Sequence, residues 1–373
     1  MPSYLIIITI FIIWLSITSL KKFSSATSET IVLAHVIFRH GDRTPSKSGL
    51  WKTNKFYNES FYEPFGYAQL TNKGKRTSYN LGVTLKNRYD GFLNQWTTKL
   101  ADTFSTDYDR TKMSASLVLG GLFPPTKSVL WNSSILWQPI PYRYVPVEQD
   151  KELSSWACPM TVPLIYADEA NIKKLHSYDG LIKILQKNTG DYTIDYISTL
   201  DLYFGMVIQE EMGFPLDNWT KIVYPEPLRS YIVDFYKIET STRALKTVMI
   251  GYLIRKILND SINKINGTLN PQDRKIFLYS GHEVNVATII TSLELISLVD
   301  IPTYASYVIF ELHKISGVHG FKIFYENYKN NEPNLLTLPG CKQFCPIEDF
   351  IRLTADIIPT GDVECFGNET ENV

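Results

Sequence analysis

The chain has 373 residues, with 37 lysine or arginine residues against 38 aspartate or glutamate residues. This balance argues against a nucleic-acid-binding protein, which would need a net basic face. The length is sufficient for one large domain or for two domains that share a core.

The first predicted element is an apolar segment at residues 4–20, which Lys21 and Lys22 close. Small residues follow at positions 24–27, with the small-x-small spacing that signal peptidase accepts. We therefore predict a secretory signal over about residues 1–26 and no stable membrane span after its cleavage. An uncleaved signal anchor is the alternative.

Six N-x-S/T triplets agree with a secreted glycoprotein, because such triplets are acceptors for N-linked glycans. The candidate glycosylation sites are Asn58, Asn132, Asn218, Asn259, Asn266 and Asn368. We expect an extracellular protein, with a lysosomal location as the alternative.

The first predicted strand covers residues 30–38, a continuous apolar and β-branched run that is typical of the centre of an α/β sheet. His35 lies inside this run, and we expect its ring to be packed and hydrogen-bonded. The sequence R-H-G-D-R-T-P follows directly at residues 39–45. It indicates either a site for a small anion or a basic loop that is merely solvated.

Helical patterns come next, over residues 70–89 with Thr71 as a candidate cap, and over residues 110–122. Between about residues 145 and 265 the pattern changes to amphipathic helical segments without a strong strand run. We therefore predict an α/β domain made of residues 27–144 and 266–373, with residues 145–265 inserted as a helical cap.

A second buried strand is predicted over residues 275–280, and Gly-His-Glu at 281–283 and a helix follow it. Apolar runs at 305–312 and 321–325 predict further strands, separated by a Gly-Val-His-Gly turn. In open α/β sheets, ligands bind beyond the carboxyl ends of the strands. Because both charged clusters directly follow buried strands, we expect them to share one site.

The two clusters contain the groups that phosphoryl transfer needs. The guanidinium groups of Arg39 and Arg43 match phosphate oxygens, and the imidazole of His40 between them can attack phosphorus. In the second cluster, His282 can bind the transferring group and Glu283 can protonate a leaving alcohol. The same residues are also compatible with anion binding without hydrolysis.

Four cysteines predict either two disulfides or a metal site. In an oxidising compartment, Cys341 and Cys345 are close enough in sequence for a local disulfide, which leaves Cys158 to pair with Cys365. A metal site built from all four thiolates is the alternative. The surrounding segment, residues 339–365, is predicted to be rich in loops.

The motifs of this chain resemble those of the histidine acid phosphatases, branch 2 of the histidine phosphatase superfamily. R-H-G-D-R-T-P matches the family pattern R-H-G-x-R-x-P. Four more motifs follow in family order: L-T-N-K-G, S-T-D-Y-D-R-T-K-M-S-A, L-F-P-P and Y-S-G-H-E. The resemblance runs from about residue 30 to residue 366 and points to the branch of prostatic, lysosomal and insect venom enzymes.

The resemblance implies an α/β fold, with a phosphoglycerate-mutase-like three-layer core, an inserted helical cap and an active site in the cleft between them. It implies that His40 forms a phosphohistidine and that Glu283 is the proton donor. Arg39, Arg43 and His282 match phosphate-binding residues. It implies no metal or other cofactor. The expected partners are a small phosphate monoester or phosphopeptide substrate and, in a homodimer, a second copy of the chain.

Phe104 departs from the pattern that we expect for this family. It directly precedes the Ser-Thr-Asp of the second motif, where we expect a third phosphate-binding arginine. A phenylalanine cannot donate a hydrogen bond to phosphate. Beside a secreted acid phosphatase, we therefore consider a weakened or inactive secreted binding protein that retains the fold.

Overall fold

The computed structural model describes residues 30–328 and 333–366. The predicted signal sequence over residues 1–26 and the candidate glycosylation site Asn368 lie outside them. Within the described residues, we find no helix that is both long enough and apolar enough to span a membrane.

A seven-stranded mixed sheet forms the centre of the fold, in the order β2-β3-β1-β4-β5-β6 with β7 paired to β5. The pairs β2–β3 and β3–β1 are parallel, and the other pairs are antiparallel. This arrangement confirms the predicted α/β class and the central position of the first strand. The strands are β1 (Ile31–Arg39), β2 (Ala101–Ser105), β3 (Ile276–Gly281), β4 (Tyr307–Ile315), β5 (Val318–Glu326), β6 (Asn334–Leu336) and β7 (Cys345–Pro346).

The α-helices of the described residues are concentrated in the middle of the chain. A π-helical turn at Thr247–Gly251 joins the short helix Arg243–Lys246 to the longer helix Tyr252–Ile265. In chain order the helices are α1 (Asn72–Arg88), α2 (Asp109–Leu122), α3 (Thr161–Tyr166), α4 (Glu169–His176), α5 (Asp179–Thr189), α6 (Ser198–Glu211), α7 (Leu228–Ile238), α8 (Arg243–Lys246), α9 (Tyr252–Ile265), α10 (Glu283–Ser292), α11 (Ile347–Thr354) and α12 (Val363–Phe366).

Helices cover both faces of the sheet because successive side chains of β1 point to opposite faces. Ala34, Val36 and Phe38 pack in a hydrophobic cluster with side chains of α1 and α2. Leu33 and Ile37 belong to a second cluster, which contains side chains of α3–α7, α9 and α10. The fold therefore has a helical layer on each side of the central sheet.

The segment between residues 145 and 265 contributes the helices α3–α9 and, in the described part of the chain, no strand of the sheet. Its apolar side chains share one continuous hydrophobic cluster with β1 and β3. The division into an α/β domain and an inserted helical cap stays a prediction.

Two segments differ from the sequence-based expectation. The turn expected at residues 317–320 lies at Ser316 and Gly317, where the left-handed backbone reverses the chain. Residues 318–320 belong to β5. The segment 339–365, expected as loops, contains the helix α11. That helix forms because it buries one apolar face, with Phe350 fully enclosed.

Both predicted disulfides are present. The Cα atoms are 5.0 Å apart in Cys158–Cys365 and 5.2 Å apart in Cys341–Cys345. All four cysteines are paired, so the alternative of a four-thiolate metal site is wrong.

His35 is buried in β1 as expected. Its Nδ1 lies 3.3 Å from the hydroxyl of Tyr279, its Nε2 lies 3.4 Å from Oγ of Ser261, and its ring stacks on Phe277. Burial lowers the pKa of His35 well below the usual value, so the imidazole is a neutral part of the core.

Parallel pairing of β1 with β3 brings the two charged clusters together. The register aligns Arg39 with Gly281, and the backbone N–H of His40 donates to the carbonyl of Gly281 at 3.0 Å. On the other side of β3, Ser105 of β2 aligns with Ser280. The carboxyl ends of three neighbouring parallel strands therefore meet at one edge, where ligands bind in open α/β sheets.

A close backbone contact holds the loop after β1 against the start of α1. A Cβ at Gly41 would lie 2.2 Å from the carbonyl oxygen of Gly74, and a Cβ at Gly74 would lie 2.0 Å from that of Asp42. The Asp42 carbonyl also accepts from the backbone N–H of Thr71, whose side chain caps α1. Only glycine allows this approach, so the two motifs R-H-G-D-R and L-T-N-K-G depend on each other.

We predict that Gly74→Ala destabilises the protein, because the added methyl group forces the backbone of the loop after β1 to move. The expected loss is about 1–3 kcal/mol in the free energy of unfolding, measured by chemical denaturation. Gly180→Ala in α5 is the control, since its Cβ would meet no atom within 4 Å. Equal stability of the two variants would show that the contact does not constrain the loop.

Candidate active site

A cavity of about 220 Å³ lies at the carboxyl edge of β1 and β3. Four of the residues singled out in the sequence line it, namely His40, Arg43, His282 and Glu283. Further lining residues, which the sequence analysis did not select, include Arg110, Trp156, Phe204, Tyr236 and Glu239. The structure therefore places the two charged clusters around one cavity.

The imidazole of His40 is almost fully buried and has a defined tautomer. Its Nδ1 lies 2.7 Å from the carbonyl oxygen of Gly41, which can only accept a hydrogen bond, so Nδ1 carries the proton. Nε2 keeps its lone pair and accepts from Nε of Arg110 at 3.3 Å. Burial, together with the charges of Arg110 and Arg39, lowers the pKa of His40 well below its usual value.

Arg43 lines the cavity two residues after Gly41. One terminal nitrogen donates to the carbonyl of Thr44 at 3.1 Å. The buried Nε atom has no hydrogen-bond partner in the protein. Since buried polar groups are normally paired, the guanidinium retains unused capacity for an anion in the cavity.

Arg39, the last residue of β1, lies beside the cavity and contacts Glu283. Its NH1 donates to the carbonyl of Pro302 at 2.7 Å, and its guanidinium stacks over the ring of Tyr304 at 4.1 Å. Its Nε lies 3.3 Å from Oε2 of Glu283, within ion-pair distance but without hydrogen-bond alignment. Arg39 therefore holds the carboxylate of Glu283 at the cavity that His40 also lines.

His282 ends the loop after β3 and caps α10. Its backbone N–H donates to Oδ1 of Asn285 at 2.8 Å, in a capping box. The ring Nε2 lies 3.0 Å from Oγ1 of Thr106, and Nδ1 lies 3.5 Å from NH2 of Arg110. Burial and the neighbouring Arg110 lower the pKa of His282 well below its usual value.

Arg110 is the third arginine of the site, and it corrects the expectation about Phe104. Its guanidinium, in the first turn of α2, contacts both His40 and His282 and stacks over the ring of Tyr108 at 4.6 Å. Burial, with the nearby charge of Arg43, lowers the pKa of Arg110 to about 10. The cavity therefore does not lack a third cationic side chain.

Phe104 faces away from the cavity. It is buried in β2, belongs to a large hydrophobic cluster and packs against the guanidinium of Arg143, 4.5 Å from its ring. Successive residues of a strand point to opposite faces. The site residue of this motif instead lies in the helix that follows β2, six residues beyond Phe104.

The sequence contained a signal for Arg110 that the sequence analysis did not use. The family motif S-T-D-Y-D-R ends in Arg110. From the sequence we predict only that this arginine begins a helix. Trp156, Tyr236 and Glu239 offered no comparable signal. They lie in the helical segment, and only tertiary packing brings them to the strand ends.

The arrangement is suited to an anionic ligand. Buried arginines surround a neutral imidazole whose unprotonated Nε2 accepts from Arg110, and the N-terminus of α10 adds a favourable dipole. Three buried polar atoms around the cavity have no hydrogen-bond partner in the protein: Nε of Arg43, the hydroxyl of Tyr236 and Oε2 of Glu239. Among the described residues, no cluster of three or more His, Cys, Asp or Glu side chains could hold a metal ion.

Comparison with known proteins gives relatives over most of the chain. Residues 30–175 match the family described as histidine phosphatase superfamily (branch 2). The chain is 35% identical to the venom acid phosphatase of Apis mellifera, over 88% of this chain and 85% of the relative. It is 32% identical to the prostatic acid phosphatase of Bos taurus, over 87% of this chain and 84% of the relative.

A lysosomal acid phosphatase of Rattus norvegicus is 30% identical, over 87% of this chain and 77% of the relative. Among solved structures, the phytase from Citrobacter braakii superposes with a TM-score of 0.61 at 15% identity, over 91% of this chain and 100% of that chain. The structural likeness agrees with the fold, and the sequence relatives establish the family. The chain therefore belongs to the histidine acid phosphatases, in branch 2 of the histidine phosphatase superfamily.

Proposed function

We propose that this protein is an acid phosphatase that hydrolyses phosphate monoesters through a phosphohistidine on Nε2 of His40. The observation that supports this most directly is the tautomer of His40. The carbonyl of Gly41 holds the proton on Nδ1, so the lone pair of Nε2 faces a cavity that Arg43 and Arg110 also line.

The proposed reaction has two steps. In the first, Nε2 of His40 attacks phosphorus, the bond to the leaving oxygen breaks, and Glu283 gives its proton to that oxygen. In the second, Glu283 takes a proton from water, the water oxygen attacks phosphorus, and the bond to Nε2 breaks. Arg43 and Arg110 would stabilise negative charge on the phosphoryl oxygens in both steps.

The lowered pKa of His40 supports activity at acidic pH. At pH 5 an ordinary histidine, with a pKa near 6.5, would be mostly protonated and unable to attack. Burial and the neighbouring arginines favour the neutral form of His40, so its lone pair stays available as the pH falls.

The alternative of a weakened or inactive binding protein loses its main argument. That hypothesis depended on the absence of a third arginine at position 104. Arg110 supplies a third guanidinium in contact with both histidines of the site. With the nucleophile, the cations and an acid around one cavity, we favour the enzyme.

The expected substrate is a small phosphate monoester or a phosphorylated side chain of a peptide, since the cavity accommodates one phosphoryl group and a leaving group of modest size. Secretion is supported by the two disulfides, which are typical of an oxidising compartment. Four candidate glycosylation sites are exposed and one is half-buried in the described part of the chain; in chain order the five are Asn58, Asn132, Asn218, Asn259 and Asn266. A lysosomal location and a homodimer stay open.

We predict that His40→Ala abolishes turnover of 4-nitrophenyl phosphate at acidic pH, because it removes the imidazole that we propose forms the phosphoenzyme. The expected loss is roughly 1000-fold or more in kcat. His176→Ala serves as the matched control, since His176 is exposed on α4. Turnover by His40→Ala at the wild-type rate would refute the assigned nucleophile.

We predict that Glu283→Gln slows alkyl phosphates much more than 4-nitrophenyl phosphate, because only the poor alkoxide leaving group needs a proton in the transition state. The measurement is kcat for both substrates in wild type and variant. If both substrates slow by the same factor, Glu283 acts on binding or on the position of Arg39 instead of donating a proton.

We predict that Arg110→Met weakens phosphate binding, measured as competitive inhibition, by about 10-fold to 150-fold. This range corresponds to the loss of one charge-assisted hydrogen bond of roughly 1.5–3 kcal/mol. Phe104→Leu is the control and should leave the inhibition constant unchanged, because Phe104 packs against Arg143. The reverse pattern would restore position 104 as the critical one.

A further inference from the structure

A buried carboxyl group that the proposed mechanism does not use lines the same cavity. Glu239 directly follows α7 and is fully buried. Its Oε1 accepts a hydrogen bond from the indole Nε1 of Trp156 at 2.6 Å. Its Oε2 has no partner in the protein. Buried polar atoms are normally paired, so an unpaired carboxyl oxygen that lines a cavity is available to bind a ligand.

Tyr236 repeats this feature three residues earlier. It is buried, lines the same cavity, and its hydroxyl also lacks a partner in the protein. Residues three apart are neighbours on a helical surface. The unpaired hydroxyl and the unpaired Oε2 of Glu239 therefore form one polar patch on the helical side of the cavity.

This patch is distinct from the cationic side of the cavity. His40, Arg43 and Arg110 provide the groups that fit a phosphoryl group, whereas Glu239 and Tyr236 carry no positive charge. Trp156 and Phe204 provide aromatic surface on the same helical side. A phosphate monoester whose phosphoryl group binds to Arg43 and Arg110 would direct its leaving group to this wall.

The protonation state of Glu239 determines what the patch can bind. Burial raises the pKa of Glu239 to about 8, and the negative charge of Glu283 acts in the same direction. The carboxyl group is therefore neutral at acidic pH. Because Oε1 accepts from Trp156, the proton resides on Oε2, which becomes a hydrogen-bond donor.

We propose that Glu239 is a specificity-determining residue, which donates a hydrogen bond from Oε2 to an oxygen of the leaving group, beside the hydroxyl of Tyr236. The preferred substrates are then phosphate monoesters whose alcohol or phenol combines an apolar body with a second oxygen, as a hydroxyl, ether or carbonyl group. This inference rests on the proposed phosphatase function and adds the class of leaving group.

The test compares phenyl phosphates that carry a hydroxymethyl group with those that carry an ethyl group, at each ring position. The members of each pair have nearly the same size and leaving-group acidity but differ in one oxygen. We expect kcat/KM of the wild type to favour the hydroxymethyl compound about tenfold at one or more positions, which is the effect of one hydrogen bond. A wild-type ratio near one at all positions would overturn the proposal without any variant.

Two variants then locate the preference. Glu239→Gln is the matched control, because its amide oxygen can accept from Trp156 and its amide nitrogen can donate as the protonated carboxyl does; it should retain the preference. Glu239→Leu should reduce the ratio of the two kcat/KM values to about one. A preference that survives in Glu239→Leu would assign specificity to another group and overturn the role of Glu239.

A binding measurement separates failure of the subsite from failure of the proposed function. Benzylphosphonates with the same substituents cannot be hydrolysed, and calorimetry should show the same preference in their affinities. If the protein has no His40-dependent turnover but binds the hydroxymethyl phosphonate more tightly, the phosphatase proposal fails and the subsite stands. If turnover depends on His40 but neither phosphate nor phosphonate pairs are distinguished, the subsite alone is refuted.

Discussion

The site depends on the in-register parallel pairing of β1 with β3. That pairing brings residues 39–43 next to residues 281–283, which lie about 240 positions away in the chain. It fixes the distance between the two loops through backbone hydrogen bonds, which side-chain substitutions leave intact. His40 and His282 lie close to each other because β1 and β3 end at the same level of the sheet.

The same arrangement concentrates positive charge in a poorly solvated space. Arg39, Arg43 and Arg110 lie close enough for their charges to lower the pKa of both His40 and His282, and the pKa of Arg110 itself. The ion pair between Arg39 and Glu283 offsets part of this positive charge. A dianionic phosphoryl group bound between Arg43 and Arg110 would neutralise more of it, which favours binding of the anion.

Much of the fold and part of the site could be predicted because their signals are local. The run of β-branched residues in β1, the charges directly after it and the same pattern around β3 all lie within short windows of sequence. Arg110 was missed although it lies in a recognised motif. In β2, Phe104 and Ser105 point to opposite faces of the sheet. The arginine of this motif lies beyond the strand, in the helix that follows it.

The helical side of the cavity could not be predicted in this way. Tertiary packing brings three side chains of the helical segment to the cavity, namely Trp156, Tyr236 and Glu239. The sequence pattern of a helix specifies only which of its faces is apolar. Nothing in a pattern of period 3.6 states which helix end will meet which strand end. The position of a buried carboxyl group opposite the phosphate side therefore became visible only in the structure.

The disulfide between Cys158 and Cys365 has a consequence for the order of assembly. Cys158 lies two residues after Trp156. Close to it, the backbone N–H of Met160 donates a hydrogen bond to the carbonyl of Cys365. The wall of the cavity that Trp156 forms is thus anchored to a segment synthesised more than 200 residues later. This anchor can form only after residue 365 has been synthesised and both thiols have been oxidised, so the Trp156 side of the cavity is fixed covalently at a late stage of assembly.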